Sequence, residues 1–234
     1  MESRMFTVKG RRVPTFNLIV GCLHNCVYCY ARRWARRQRK RCLDCYNFKP
    51  HFHMERFELN PPKKDELPVF INDMGDAFGD WVPQDFIDAV IRYMAEFKDV
   101  TFYCLTKNPK RYLGLKFPDN VVLGATIESN INQTWISRAP PTSERLEAMA
   151  RVEHKRKFIS IEPILMFHHK QFYEKIVWEV DPEFVYIGYC NPLSLARRLK
   201  LPEPPLMETK RFVNALRQSV EVRVKTLRPA WYET

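Results

Sequence analysis

From residue 68 onward, short apolar runs alternate with longer stretches in which apolar residues recur at helical spacing. PVFIND (68–73) reads as a strand, and QDFIDAVIRYMAEF (84–97) as an amphipathic helix burying Phe86, Val90, Met94 and Phe97. VTFYCLTKN (100–108), VVLGATIES (121–129), KFISIEPI (157–164), EFVYIGYCN (183–191) and VEVRVKTL (220–227) read as further strands. SERLEAMARV (143–152), HHKQFYEKIVWEV (168–180) and METKRFVNALRQS (207–219) read as helices between them. With FNLIVG (16–21) there are about seven strands, and repeated strand-helix units predict an α/β fold with a parallel sheet, closed fully or partly into a barrel. Residues 30–66 break the rhythm and are expected to be an insertion within a single domain spanning 1–234. LPEPP (201–205) is a loop, because its prolines deny the backbone bonds of a helix or strand interior.

Polar residues collect at the ends of these strands: Asp73 and Asp76, Thr106 and Lys107, Glu128 and Ser129, Glu162, Cys190 and Asn191, and Lys225. In a parallel barrel such ends meet at one face, where the loops build active sites. Helix capping accounts for Ser129 or Asn191 alone, but not for acids and bases on six strands.

Composition narrows the class. The 234 residues are 45% hydrophobic and 28% charged, ordinary for a globular protein. No run of about 18 apolar residues offers to span a membrane, and MESRMFTVKGRR lacks the apolar core of a signal peptide. The chain is therefore expected in the cytoplasm, with no membrane partner. Seven cysteines, five of them between 22 and 45, point to ligand duty in a reducing compartment. The net charge of +11 favours a polyanionic partner, and its densest block is ARRWARRQRKR (31–41). On a helix, Arg32, Arg33, Arg36, Arg37, Arg39, Lys40 and Arg41 would cover most of the circumference, either as a phosphate-binding element or as a solvated surface.

VGCLHNCVYCY (20–30) supplies C-x3-C-x2-C with Tyr28 before the last cysteine. Three thiolates on one tight loop can bind three corners of a 4Fe-4S cluster and leave one iron open for a substrate or cofactor. This loop resembles that of the radical S-adenosylmethionine (radical SAM) superfamily. VFINDMGDAFGDWVP, FYCLTKNP, LGATIES and FISIEPI follow it in order and sharpen the resemblance to the phage-associated radical SAM proteins of unassigned function. More distantly, GCLHNCVYCYAR is similar to the cluster loop of spore photoproduct lyase and its DNA-repair relatives.

The resemblance implies a partial (β/α)6 TIM-like barrel, a cluster held by Cys22, Cys26 and Cys29, and an electron donor that reduces it. It also implies S-adenosylmethionine (AdoMet) on the open iron, cleaved to a 5'-deoxyadenosyl radical. Where the family carries Gly-Gly-Glu for the cofactor amine, this chain has Asn72, Asp73, Met74, Gly75 and Asp76. Asp73 or Asp76 is then the ammonium acceptor, and Gly75 allows close backbone approach. Glu128 and Ser129 are expected to contact ribose or carboxylate, with Glu162 on the same face. Buried ion pairing is the alternative for Glu162 and Lys107. Cys190 is either a hydrogen donor to a product radical or a buried thiol.

A nucleic acid, DNA or RNA, is the expected substrate, in base modification or repair, with Trp81, Trp135 and Tyr189 as stacking surfaces. A peptide or small metabolite is the enzymatic alternative. Counted differently, Cys26, Cys29, Cys42 and Cys45 give C-x2-C-x12-C-x2-C, the spacing of a zinc ribbon that binds nucleic acid without catalysis. Cys42 and Cys45 also precede His51 and His53, so this pair either closes a small zinc site or remains two reduced thiols.

Overall fold

The computed structural model describes residues 2–233. The chain divides into two compact units, and their boundaries cross the sequence more than once. The first comprises the chain up to Asn25, Cys29–Thr106 and Gly114–Leu123; the second comprises Cys26–Tyr28, Lys107–Leu113 and the chain from Gly124 on.

In chain order the first unit holds strands β1 (Glu2–Val8), β2 (Arg11–Phe16) and β3 (Ile19–Val20), helices α1 (Tyr30–Ala35) and α2 (Leu43–Asn47), strands β4 (His51–Phe52) and β5 (Val69–Ile71), helix α3 (Gln84–Glu96), strand β6 (Phe102–Thr106) and the start of β7 (Val121–Thr126). Its main sheet runs in the order β1-β2-β5-β6-β7. β1 and β2 form an antiparallel hairpin about Lys9 and Gly10, both at positive φ (49° and 73°), the backbone that a two-residue hairpin turn requires. β2–β5 and β5–β6 are parallel. On α3, Phe86, Ile87, Val90, Tyr93 and Met94 recur at three- and four-residue spacing and are buried.

FNLIVG does not form one sheet strand. The strand that pairs with β5 ends at Phe16, and β3 leaves it to pair antiparallel with β4. Side-chain amides cause the break: Asn72 Oδ1 accepts from the Leu18 and Ile19 amides (2.8 and 3.0 Å), and Asn17 Oδ1 accepts from the Met74 amide (2.8 Å). Donors committed to side chains cannot continue the ladder. The basic run is helical only in part, since α1 stops at Ala35 and a single 3-10 turn, Arg36–Gln38, follows. Seven cations with no acid among them repel along a helix.

The second unit takes the end of β7 and adds α4 (Thr142–Arg151), β8 (Lys157–Ile161), α5 (His169–Glu174), β9 (Phe184–Ile187), α6 (Leu193–Leu199), α7 (Leu206–Leu216) and β10 (Glu221–Val224). Its strand order is β7-β8-β9-β10, with β8–β9 and β9–β10 parallel. Phe158 stacks on Phe184 with ring centroids 5.1 Å apart, and Gly124 makes room for that ring: a Cβ there would lie 2.2 Å from Phe158. The fold is therefore α/β with a mostly parallel sheet, as the alternation of elements predicts. Among the described residues no helix is long and apolar enough to cross a membrane.

Candidate cofactor site

The three-cysteine loop leaves β3 through Gly21, whose φ of 93° and surroundings both require glycine, because a Cβ would sit 2.4 Å from the Lys49 carbonyl carbon. The Gly21 amide donates to Met74 O (2.9 Å), and Gly21 bridges to Gly75 in parallel fashion. A Cβ on Gly75 would meet the carbonyl oxygens of Ile19 and Gly21 at 3.0 Å, so the two backbones touch because both positions lack side chains. Cys22 and Cys29 are partly buried and pack with Tyr30 and Met74 around Ala31, Ala35 and Phe48. Cys29 also caps α1, its Sγ accepting from the Arg32 amide (3.4 Å). Cys26 belongs to the second unit, where its buried Sγ lies 3.4 Å from Ser137 Oγ. No disulfide engages any of the three.

Segment 72–76 is fixed by the same loop. Asp76 Oδ2 lies 2.9 Å from His24 Nε2, while Thr106 Oγ1 donates to both carboxylate oxygens (2.8 and 3.0 Å) and the Phe78 amide donates to Oδ1 (2.9 Å). His24 and Asp76 are buried, and the imidazole packs edge-on against Trp81. Asp76 is thus occupied as the pivot of its turn. Tyr30 donates to the Asp73 carbonyl (2.6 Å) and to the Asp73 carboxylate. His24 and Tyr30 carry no marker in the sequence beyond lying in or beside the cysteine loop.

In the second unit Glu128 is completely buried, and both of its oxygens are taken. Arg145 Nη1 donates to Oε2 (2.8 Å), Lys107 Nζ to Oε1 (2.5 Å), and the Tyr28 hydroxyl also donates to Oε1. Burial alone would raise the Glu128 pKa, but Arg145 and Lys107 outweigh it and hold the carboxyl at about 2. Burial, reinforced by Glu128, pushes the Tyr28 phenol well above its ordinary value. Ser129 is equally enclosed, donating to Met166 O (2.5 Å) and accepting from the Ile131 amide (2.9 Å). Glu128 and Ser129 are thus both buried and hydrogen-bonded within the second unit.

Glu162 pairs with Lys225 Nζ (2.9 Å), the ion-pair alternative, and burial raises its pKa despite that partner. Cys190 is buried among Ile136, Leu165, Leu195, Ala196 and Leu201, with Tyr28 packed against the same cluster. Of the proposed stacking rings, Tyr189 is buried with its hydroxyl on Pro204 O (2.9 Å), whereas Trp135 is exposed. A cavity of about 220 Å³ lies beside Glu128, Asn132, Ile136 and Arg145. It falls below the roughly 300–1,000 Å³ of ligand pockets and is assigned no ligand.

The family described as "Protein of unknown function (DUF5131)" matches residues 12–180. This chain belongs to the DUF5131 family. The matched region of this DUF5131 protein contains the cysteine loop, segment 72–76, Glu128 and Glu162. No curated protein matches it. Among solved structures, spore photoproduct lyase complexed with dinucleoside spore photoproduct is similar at a TM-score of 0.53 and 10% identity, over 89% of this chain and 75% of that one. A doubly substituted spore photoproduct lyase with bound AdoMet and the same dinucleoside gives 0.56 and 10%, over 96% and 79%. At that identity the likeness is one of fold alone.

Proposed function

We propose that this chain is a radical SAM enzyme acting on a nucleic acid, in base modification or repair. The observation that carries the reading is the physical joining of the cysteine loop to the acidic segment through Gly21–Gly75 and His24–Asp76. It brings the proposed cluster loop and the proposed amine-binding segment together. The donor set fits a 4Fe-4S cluster: three thiols on one loop, none in a disulfide, bind different irons and so need not converge on a single point. When bound, such a cluster supplies the electron that cleaves AdoMet to a 5'-deoxyadenosyl radical.

The chain's own residues hold and orient. Asp73 accepts the methionine ammonium, with Tyr30 fixing its carboxylate. Gly75 lets its turn pack directly against the β3 backbone, and His24 and Thr106 clamp that turn through Asp76. Glu128 neutralises Lys107 and Arg145 and fixes Tyr28, the aromatic before the third cysteine. Cys190 remains the proposed hydrogen donor only if its variant alters product identity; its apolar surroundings favour packing.

Asp73→Asn is expected to weaken AdoMet binding to the anaerobically reconstituted protein about tenfold or more, since a charge-assisted hydrogen bond contributes about 1.5–3 kcal/mol. Titration calorimetry measures this directly, and unchanged affinity in a folded variant removes Asp73 from the site.

The substrate class rests on charge and on the likeness to a spore photoproduct lyase complexed with dinucleoside spore photoproduct. Arg33, Arg36, Arg37, Arg39, Lys40 and Arg41 are all exposed. Binding to single- or double-stranded nucleic acid is expected to weaken steeply with salt. Replacing Arg36, Arg39, Lys40 and Arg41 by Gln should flatten the log–log slope by about 0.9 for each duplex phosphate no longer neutralised, and by about 0.7 for each phosphate of a single strand. A slope unchanged by the quadruple substitution would dissociate this segment from the substrate.

A further inference from the structure

Between the basic run and β5 the chain assembles four metal-ligating side chains that the proposed reaction does not use. Cys42 caps α2 and Cys45 lies in its first turn, with the Cys45 amide donating to Cys42 Sγ (3.4 Å). Phe48, at a left-handed φ of 55°, ends the helix and turns the chain back toward β4. Strand alternation then selects the other two groups. Phe52 turns onto Phe86, with ring centroids 4.2 Å apart, so His51 and His53 face the opposite way. The His53 amide donates to Leu18 O (2.9 Å), which extends the pairing with β3 and keeps the alternation intact.

The consequence is a convergent set. His51 Nε2 lies 3.4 Å from both Cys42 Sγ and Cys45 Sγ, His53 Nε2 lies 3.4 Å from Cys45 Sγ, and all four ligand atoms fall within 4.8 Å of one another. Tetrahedral zinc, with sulfur at about 2.3 Å and nitrogen at about 2.0–2.1 Å, would set its sulfur and nitrogen ligands about 3.5 Å apart. The far side of each ring is oriented to match. His51 Nδ1 is 2.9 Å from Lys49 O and His53 Nδ1 is 2.9 Å from Glu55 Oε1. A carbonyl oxygen only accepts, so His51 Nδ1 carries the hydrogen and Nε2 presents its lone pair to the sulfurs. The Glu55 carboxylate acts in the same way on His53.

We propose that Cys42, Cys45, His51 and His53 bind one zinc ion. Binding releases the two thiol protons; two thiolates and two neutral imidazoles then cancel the ion's charge, leaving a partly buried site with no net charge. Four protein ligands close the coordination sphere, which makes the site structural. It ties α2 to β4 and so holds the loop that displays Arg36, Arg39, Lys40 and Arg41. This pairing of Cys42 and Cys45 with two histidines replaces the four-cysteine ribbon that the spacing also allowed. The proposal is independent of the radical SAM reading.

The test uses the full chain carrying Cys22→Ala, Cys26→Ala and Cys29→Ala, so that no thiol of the cluster loop competes for metal. After desalting, elemental analysis should find one zinc per chain, and the zinc-edge X-ray absorption spectrum should show two sulfur and two nitrogen neighbours. Adding Cys42→Ser and Cys45→Ser should abolish the zinc. The absorption spectrum needs no ligand variant and stands even if that variant fails to fold. Absence of zinc, a shell of four sulfurs, or zinc retained without Cys42 and Cys45 would overturn the assignment.

Discussion

Glu128→Gln is expected to lower the stability of the folded chain by about 3–5 kcal/mol, the cost of removing one partner of a buried charge network. Glu128 is 0% exposed, and its two cationic partners remain almost as enclosed when the carboxylate is neutralised: the Arg145 side chain is 3% exposed and that of Lys107 13%. Together they would bury two positive charges with no anion between them. Thermal unfolding should shift downward by roughly 10 °C, given about 2–4 °C per kcal/mol for a chain of this size. The pH profile carries the same information. The folded carboxyl, held at about 2, lies below its unfolded value of about 4.3, so its contribution is complete above that value and is lost as pH falls from about 4 toward 2. The variant should lack that acid-limb dependence. A melting midpoint within a degree of wild type would contradict the assignment of Glu128 as the network's anion.

Replacing Cys22, Cys26 or Cys29 singly with Ala is expected to eliminate the iron absorbance of the anaerobically reconstituted protein, while replacing Cys42 together with Cys45 leaves it intact. Each thiolate of a three-cysteine site holds a different iron, so no neighbour can substitute for a missing one. The four remaining cysteines have other surroundings: Cys42 and Cys45 face His51 and His53, Cys104 lies in the β6 core and Cys190 in an apolar cluster. Iron and sulfide retained at full stoichiometry in any of the three single variants would contradict the ligand set.

The strands β5 through β10 were legible because short apolar or alternating runs bounded by turns carry their own signal. The hairpin β1–β2 was not, since Lys9, Arg11 and Arg12 mask its alternation and only the Lys9–Gly10 turn marks it. The break at Asn17 was hidden for a different reason: its cause is Asn72, 54 residues away from Leu18. The same distance effect divides the site. Cysteines and acids at strand ends stand out by type, but what an acid does depends on its partners. His24 and Asp76 are 52 residues apart, and Tyr28 and Glu128 are 100 apart. Residue type alone therefore offers Asp76 and Glu128 to the cofactor but says nothing of the partners that hold their oxygens. Arg145 was invisible for the converse reason, an arginine that reads as helix surface yet reaches inward to Thr126 O (2.7 Å) and Glu128. His51 and His53, by contrast, stand close to Cys42 and Cys45 in sequence, so local spacing alone sets the four side by side.

The central claim is that the cysteine loop and segment 72–76 support reductive cleavage of AdoMet. The anaerobically reconstituted full chain, treated with dithionite and AdoMet and resolved by chromatography, tests it in one measurement. The account predicts 5'-deoxyadenosine released in step with methionine, and none from the Cys22→Ala, Cys26→Ala or Cys29→Ala variants. A chain that takes up iron and sulfide, binds AdoMet, and yet releases no more 5'-deoxyadenosine than those variants would contradict it.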